Sequence, residues 1–590
     1  MKTSIIILTF NKLDYTIQCI ESIRQFTTPG TYELIVIDNL STDGTQQWLM
    51  DQDDIISILN KENLGFPKGC NQGIEIATGE AILLLNNDTI VTENWLDNLT
   101  ACLNSDKKIG AVSCVTNNSS YAQSIPTSYN SLEEMHSFSR EFNHLDSSKW
   151  EERLKLVGFC YLIKKSVIKE VGPLDERFTP GNYEDDDLSV RIRLAGYKLI
   201  LCKDTFIHHY GSVSFGSNSK SFNHLLAENA KKFEEKWGFN PDYSQFIRND
   251  IVTVIDSDPM DPIKVLEIGC ACGGTLLKIK SIYKNSSLYG IELNKASAQI
   301  ASLIADVRND DIESNCLSYP EDYFDYIIFG DVLEHLHDPW GVLERVKKHL
   351  KFNGKIIASI PNVMHHSVID SLLRGSWDYT KSGILDQTHI RFFTLDGIRK
   401  MMFQAGYYRL NIFAKSVTKL SEDSLIHKIA PFLDENVLVQ FNAYQYIVSA
   451  SKHNLDEVFA SLVEQTLEAV SIVQKLEPYS YDEIIKAVVF GKEKITDKVE
   501  LLNLIGIANF ELGKYDRVLP YFEQSYYLNQ EDADTLYNLS YFLQVIGENE
   551  QSKVFMSRLN EISPIIYEEL RSVLSTKNDE TNTISVQKRD

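Results

Sequence analysis

An apolar run that stops abruptly in three polar residues constrains this chain most. Ala81 to Leu85 reads as a buried strand, and Asn86-Asn87-Asp88 follows at once. In an open α/β sheet the polar ends of such strands line the ligand crevice. A carboxylate there, Asp88, suits Mg²⁺ or Mn²⁺, which prefer oxygen ligands shared with substrate phosphates. An ordinary Asn-Asn-Asp turn would look the same in isolation.

The surrounding chain repeats the theme. Ser4 to Leu8 and Glu33 to Ile37 are two further apolar strands, ending in Thr9-Phe10-Asn11-Lys12 and Asp38-Asn39-Leu40-Ser41. Between them Leu13, Ile17, Ile20 and Ile23 fall at helical spacing. Strands alternating with helices predict a parallel sheet with helices on both faces. The length, 590 residues, calls for three to five domains at about 100–200 residues each. A net charge of −24 argues against broad nucleic-acid or anionic-membrane binding. No leader-like segment opens the chain, and no apolar stretch reaches the ~18 residues of a membrane span. The nine cysteines follow no disulfide or zinc spacing, so a cytoplasmic protein with reduced thiols is expected.

These strand ends, with Asn63-Leu64-Gly65-Phe66, Gly69-Cys70-Asn71-Gln72-Gly73 and Leu85-Asn86-Asn87-Asp88, resemble the family-2 glycosyltransferases over roughly the first 215 residues. The resemblance implies a GT-A type nucleotide-sugar domain. Thr9 and Asp38 would contact base or ribose, and Lys68 would lie near the diphosphate. Asn86 stands where the family has its first Asp of Asp-x-Asp, so Asp88 should carry most of the metal binding. Tyr183-Glu184-Asp185-Asp186-Asp187-Leu188 resembles the family's Glu-Asp-x-Asp-Leu element, which makes Asp185 the general base and lets Glu184 and Asp187 shape the site or hold the acceptor. Crowded acids at a helix start should raise the base's pKa. Ile207-His208-His209-Tyr210-Gly211-Ser212-Val213-Ser214 closes the resemblance, and His209 rather than His208 is expected to reach the metal or diphosphate.

Asn240-Pro241-Asp242 and Asp256 to Pro262 read as linker. A second α/β unit follows. Lys264 to Ile268 runs into Gly269-Cys270-Ala271-Cys272-Gly273-Gly274, and Ser287 to Ile291 ends in Glu292. Glycines let a ligand approach the backbone, and an acid at the second strand's end can take ribose hydroxyls. A Gly-x-Gly-x-x-Gly reading fails only by Ala271, so a dinucleotide stays open. Glu267, Gly330-Asp331-Val332-Leu333-Glu334-His335 and Pro361-Asn362 make the segment from about 260 to 410 resemble class I methyltransferases, which use S-adenosyl-L-methionine. By that resemblance Glu267, Gly269 and Gly273 cradle the methionine part, Glu292 binds the ribose and Asp311 the adenine amine. Asp331 to His335 line the site, and Asp386 or His389 is the base for a hydroxyl acceptor.

Leu502 and Leu536, Gly513 and Gly547, and Phe522 and Met556 each stand 34 residues apart. That period resembles tetratricopeptide repeats, an all-α solenoid that binds polypeptide. The expected organisation is therefore a nucleotide-sugar domain over 1–245, a Rossmann-like methyltransferase domain over 246–452, helical repeats over 453–575 and a disordered tail over 576–590. The expected function is an inverting glycosyltransferase joined to a methyltransferase. Its partners would be a nucleoside-diphosphate sugar, a glycan or glycoprotein acceptor and a polypeptide at the repeats. The rivals are an inactive scaffold presenting the repeats and a transferase whose middle domain binds a dinucleotide.

Overall fold

The computed structural model describes residues 1–211, 219–314, 317–416, 424–452, 468–477, 479–490 and 498–576, with 455, 458, 459 and 462. Ser212, Val213 and Ser214 and the tail from 577 onward lie outside the described residues.

The strands of the first unit are β1 (Thr3–Thr9), β2 (Tyr32–Asp38), β3 (Ile55–Leu59), β4 (Ala81–Asn86), β5 (Thr89–Ile90), β6 (Ile109–Val115), β7 (Trp150–Arg153), β8 (Cys160–Lys164), β9 (Lys198–Phe206) and β10 (His208–His209). Eight of them form one sheet in the order β3-β2-β1-β4-β8-β6-β9-β7, and β5 pairs with β10 in a separate ribbon. The order reverses between β1 and β4, a topological switch point that opens a crevice at the strands' carboxyl ends. Register brings those ends together: Thr9 lies beside Asp38, and Leu8 beside Asn86. The sheet is not wholly parallel as expected. β8 runs antiparallel to β4 and β6, and β7 antiparallel to β9. Apolar runs report that a strand exists and is buried; they carry no information on its direction.

The second unit contains β11 (Lys264–Ile268), β12 (Ser287–Glu292), β13 (Asp306–Asn309), β14 (Phe324–Gly330), β15 (Leu350–Pro361), β16 (Tyr408–Lys415) and β17 (Gln445–Ser451). Their order is β13-β12-β11-β14-β15-β17-β16, parallel except that β17 runs against both neighbours. Here the order reverses between β11 and β14. The C-terminal part is helical. Lys498–Glu511 packs on Leu519–Leu528 and Ala533–Val545 on Asn549–Ile562, before a last helix over Pro564–Thr576.

Residues 240–244 are not a slack linker. Asn240 caps a short helix, Pro241–Ser244, by accepting from the backbone of Asp242 and Tyr243. The carbonyl of Ser244 accepts from Cys272 N at 3.0 Å, and that of Gln245 from the Tyr121 hydroxyl at 2.7 Å. An ion pair between Lys278 and Glu151, 2.8 Å, crosses between the units. Around it lies a shared apolar cluster in which Phe178, Phe233 and Phe239 of the first unit meet Cys272, Leu277 and Ile300 of the second. Phe233 is fully buried there. Phe233→Ala should therefore cost about 3–5 kcal/mol. Scanning calorimetry should show a lower melting temperature, and an unchanged one would contradict this joint core.

Candidate functional site

The first site grows from the break after β4. Asp88 follows the strand, and the β5–β10 ribbon sets His209 opposite Thr89. Tyr210 N donates to the Asp88 carbonyl at 3.0 Å, which fastens the ribbon. His209 Nε2 thus comes to 3.2 Å from Asp88 Oδ1. The ring stacks on Phe159 with centroids 5.2 Å apart. Its Nδ1 faces the Asn118 carbonyl at 2.8 Å; a carbonyl only accepts, so Nδ1 holds the proton and Nε2 is left for Asp88. Burial works against the imidazolium, but the Asp88 carboxylate outweighs it and His209 titrates above its usual range. His208 points elsewhere. Its Nδ1 meets the Tyr129 hydroxyl at 2.6 Å, and burial lowers its pKa to about 4. A carboxylate and an imidazole converging on a cavity wall fit a divalent ion whose remaining ligands come from phosphate.

That wall belongs to a cavity of about 650 Å³, lined also by Phe10, Asn39, Asn86, Glu184, Asp185 and Asp186. The helix Glu184–Leu194 starts at the cavity. Asp185 accepts from Gly158 N at 2.8 Å and from Asp186 N at 2.9 Å. Burial, then the neighbouring Asp186, raises its pKa to about 6, against the pull of Lys155 and these N–H groups. Glu184 is buried with Oε2 unpartnered, and burial followed by Asp185 pushes it well above the carboxylate range. Asp186 pairs with Lys155 at 2.6 Å.

Four expected residues sit differently. Asp187 is turned from the cavity and tied to Lys236, to Arg191 at 2.8 Å and to the Trp237 indole at 2.9 Å, because one helical turn places it against the helix Ser219–Trp237. Thr9 is buried beneath the site, sharing its hydroxyl with Thr16 at 2.9 Å and Asn87 at 3.4 Å. Lys68 is exposed on the helix Gly65–Ile76, outside the cavity lining. Asp38 is fully buried, with Oδ2 accepting from Ser41 N and Gln46 while Oδ1 has no partner; Asn39 supplies the cavity wall instead.

The second site occupies the carboxyl edge at the β11/β14 reversal. Gly269 has φ 67°, and a Cβ there would lie 2.6 Å from Val332 Cγ2. Ala271 also takes a left-handed conformation, φ 48°, and its N–H donates to Glu292 at 2.7 Å. Asn294 N donates to the other Glu292 oxygen at 2.7 Å, so the carboxylate is fixed at the strand end with acceptor capacity left for hydroxyls. Gly273 caps the helix Gly274–Ile282. Glu267 has an unpartnered Oε2, and burial raises its pKa to about 8 despite the Thr275 hydroxyl. An orphaned buried oxygen beside a glycine turn fits the cationic methionine end of S-adenosylmethionine. Asp311 is held by Glu313 N at 2.9 Å and by the Ser314 hydroxyl at 2.6 Å.

Asp331 and Asp386 are less free than expected. Arg248, Gln445 and the Ser359 hydroxyl (2.9 Å) engage both oxygens of Asp331. Asp386 Oδ1 closes its own loop, accepting from Thr388 N at 2.8 Å and its hydroxyl at 2.6 Å. His389 stands edge-on to His335, centroids 4.7 Å apart.

Residues 4–172 match the model of glycosyl transferase family 2, and residues 240–411 match that of a methyltransferase domain. This chain carries a glycosyltransferase domain and a methyltransferase domain. Glycosyltransferase GlyG of Streptococcus pneumoniae serotype 4 is 33% identical over 100 residues, 16% of this chain and 33% of the relative, so the chain spans about a third of that protein's length. A ubiquinone biosynthesis O-methyltransferase of Cereibacter sphaeroides is 26% identical over 189 residues, 30% of this chain and 74% of the relative. Among solved structures, mannosyltransferase PcManGT from Pyrobaculum calidifontis in complex with GDP-Man and Mn²⁺ gives a TM-score of 0.31 at 17% identity, covering 51% of this chain and 73% of that one. A SAM-dependent methyltransferase from Archaeoglobus fulgidus gives 0.27 at 19% identity, over 37% and 97%.

Three charged residues lining the glycosyltransferase cavity carried no expectation. Lys155 lies in an irregular stretch. Asp186 is hidden in the acidic run, where composition cannot tell its face from that of Asp187. Asp242 reaches the cavity because the Tyr183 hydroxyl donates to it at 3.0 Å, a contact with no local signal. No described helix is long and apolar enough to cross a membrane.

Asp185→Asn should lower sugar transfer by about 10²–10⁴ while leaving nucleotide binding intact. If Asp185 is the base that the family resemblance implies, it acts only when deprotonated, and wild-type transfer should fall as pH drops through about 6, the value to which burial raises Asp185. Normal turnover in the variant, measured by release of nucleoside diphosphate, would sink the assignment. Asp187→Ala should instead lower the melting temperature, because the half-buried Trp237 indole loses its acceptor while Lys236 keeps Asp175 and Arg191 keeps the carbonyls of Val171 and Gly172.

Proposed function

We propose that this bifunctional transferase moves a sugar from a nucleoside-diphosphate donor to a glycan or protein acceptor with inversion, then methylates a hydroxyl of the product. One observation carries the first half: the Asp88–His209 pair and Asp185, with its raised pKa, line a single cavity. Asp88 and His209 would hold Mn²⁺ or Mg²⁺, which supplies positive charge against the departing diphosphate. Asp185 takes the proton from the acceptor hydroxyl, held for it by Gly158 N and its own helix start. The oxygen then attacks the anomeric carbon opposite the leaving group, and one displacement inverts it. Glu184, held toward its neutral form, can donate to a sugar oxygen without adding negative charge beside the diphosphate.

In the second domain S-adenosyl-L-methionine supplies the methyl group. Glu292 accepts the ribose hydroxyls, the turn at Gly269 admits the methionine part, and Glu267 faces its cationic end. The helical C-terminus is assigned to polypeptide docking, supported by its 34-residue period and a cavity of about 330 Å³ lined by Tyr479, Tyr481, Asn509, Arg517 and Tyr521.

Two sites on one chain hold the second at high effective concentration for the first one's product. Methylation should therefore follow transfer. Gly269→Arg fills the backbone approach and should yield unmethylated glycan, whereas Asp185→Asn should yield no methylated product, both read by mass spectrometry. Methylated sugar nucleotide accumulating with Asp185→Asn would refute this order.

A further inference from the structure

Glu334 lies in a single 3-10 turn, Leu333–His335, just beyond β14. It is 1% exposed, and neither carboxylate oxygen has a hydrogen-bond partner. An unpaired carboxylate in such a place costs several kcal/mol unless something compensates it. The buried cation of this edge, Arg248, is spent on Asp250, Asp331 and Ser359.

Two imidazoles meet the same point. His335 Nδ1 faces the Thr388 carbonyl at 3.1 Å, and His389 Nδ1 faces the Ile384 carbonyl at 2.9 Å. Carbonyls only accept, so in each neutral ring Nδ1 holds the proton and Nε2 keeps its lone pair. This is the arrangement that orients a metal-ligating histidine. The backbone fixes the spacing: Ile390 N and Arg391 N both donate to the Glu334 carbonyl at 3.0 Å, stapling the His389 loop to the Glu334 turn. As a result Glu334, His335 and His389 each present a ligand atom within 4.8 Å of the others.

We infer that Glu334, His335 and His389 form a divalent-cation site in the methyltransferase domain, distinct from the Asp88–His209 pair. One carboxylate and two imidazoles occupy one side of the ion and leave its other positions for substrate oxygens. Two nitrogen donors favour Mn²⁺, Co²⁺, Fe²⁺ or Zn²⁺ over Mg²⁺ and Ca²⁺. The ion's task rests on the hydroxyl-methylation reading above; its binding does not. A hydroxyl on the ion loses its proton more readily. The proton leaves to solvent, the oxygen bonds the methyl carbon, and the S–CH₃ bond breaks to give the neutral thioether. His389 is then a ligand rather than the base, and the acceptor class is a hydroxyl compound such as a sugar.

The test is Co²⁺ binding to the full, chelator-stripped chain, counted by equilibrium dialysis and followed by metal-dependent thermal shift. Glu334→Gln and His389→Gln should each remove one Co²⁺ per chain, or weaken it about 100-fold or more, while Asp88→Ala leaves that ion in place. Glu334→Gln is isosteric, so its metal-free melting temperature should match the wild type's. What it should lose is the rise on adding Co²⁺. Unchanged Co²⁺ affinity and stoichiometry in both variants would overturn the site, as would a wild type whose every bound Co²⁺ disappears with Asp88→Ala. Bound Co²⁺ without any methyl transfer would instead count against the hydroxyl-methylation reading alone.

Discussion

A carboxylate oxygen buried without a partner destabilises a fold, and three of the four described acids that carry one in this protein, Glu184, Glu267 and Glu334, stand at the two candidate sites. Among the described residues, the acids with buried, unpartnered oxygens are Asp38, Glu184, Glu267 and Glu334. Asp38 ends β2 beneath the cavity wall, Glu184 lines the glycosyltransferase cavity, and Glu267 and Glu334 stand at the carboxyl edge of the second sheet. Elsewhere buried acids are matched: Asp187 by Lys236 and Arg191, Glu151 by Arg153 and Lys278. The unpaired oxygens are stability given up at specific points, and the apolar cores beneath both sheets carry that cost.

The segment around residues 240–250 ties the two sites together. Asp242 lines the glycosyltransferase cavity. Next to it, the Tyr243 hydroxyl donates to the Asp331 carbonyl at 3.3 Å, and Arg248 holds the Asp331 carboxylate. A stretch whose Asn, Pro and Asp look like a loose connection is thus built into both domains. Its ordering comes from partners remote in sequence, which no local pattern can announce.

Strand ends were legible because an apolar run breaks sharply into polar residues, as at Leu85–Asn86 and Ile291–Glu292. The roles of neighbours within a motif were less so. His208 and His209 are adjacent on a strand, so they face opposite sides, and only the pairing with Thr89 decides which one meets Asp88. Asp187 stands four residues before Arg191, a spacing that signals a helical ion pair, yet Lys236 and Trp237 that complete its enclosure are far along the chain. Strand direction in the far half of the first sheet, and the burial of Thr9 under Asn87, depend on tertiary packing and left no mark in the residues themselves.

The central claim is that one chain holds two separate transferase sites. Calorimetric titration of the intact protein with S-adenosylmethionine, with and without saturating UDP, GDP or another nucleoside diphosphate plus Mn²⁺, tests it most directly. The account predicts one S-adenosylmethionine site per chain whose stoichiometry and occupancy survive saturation of the sugar-nucleotide site. Competition between the two ligands, or binding of NAD in place of S-adenosylmethionine, would contradict it.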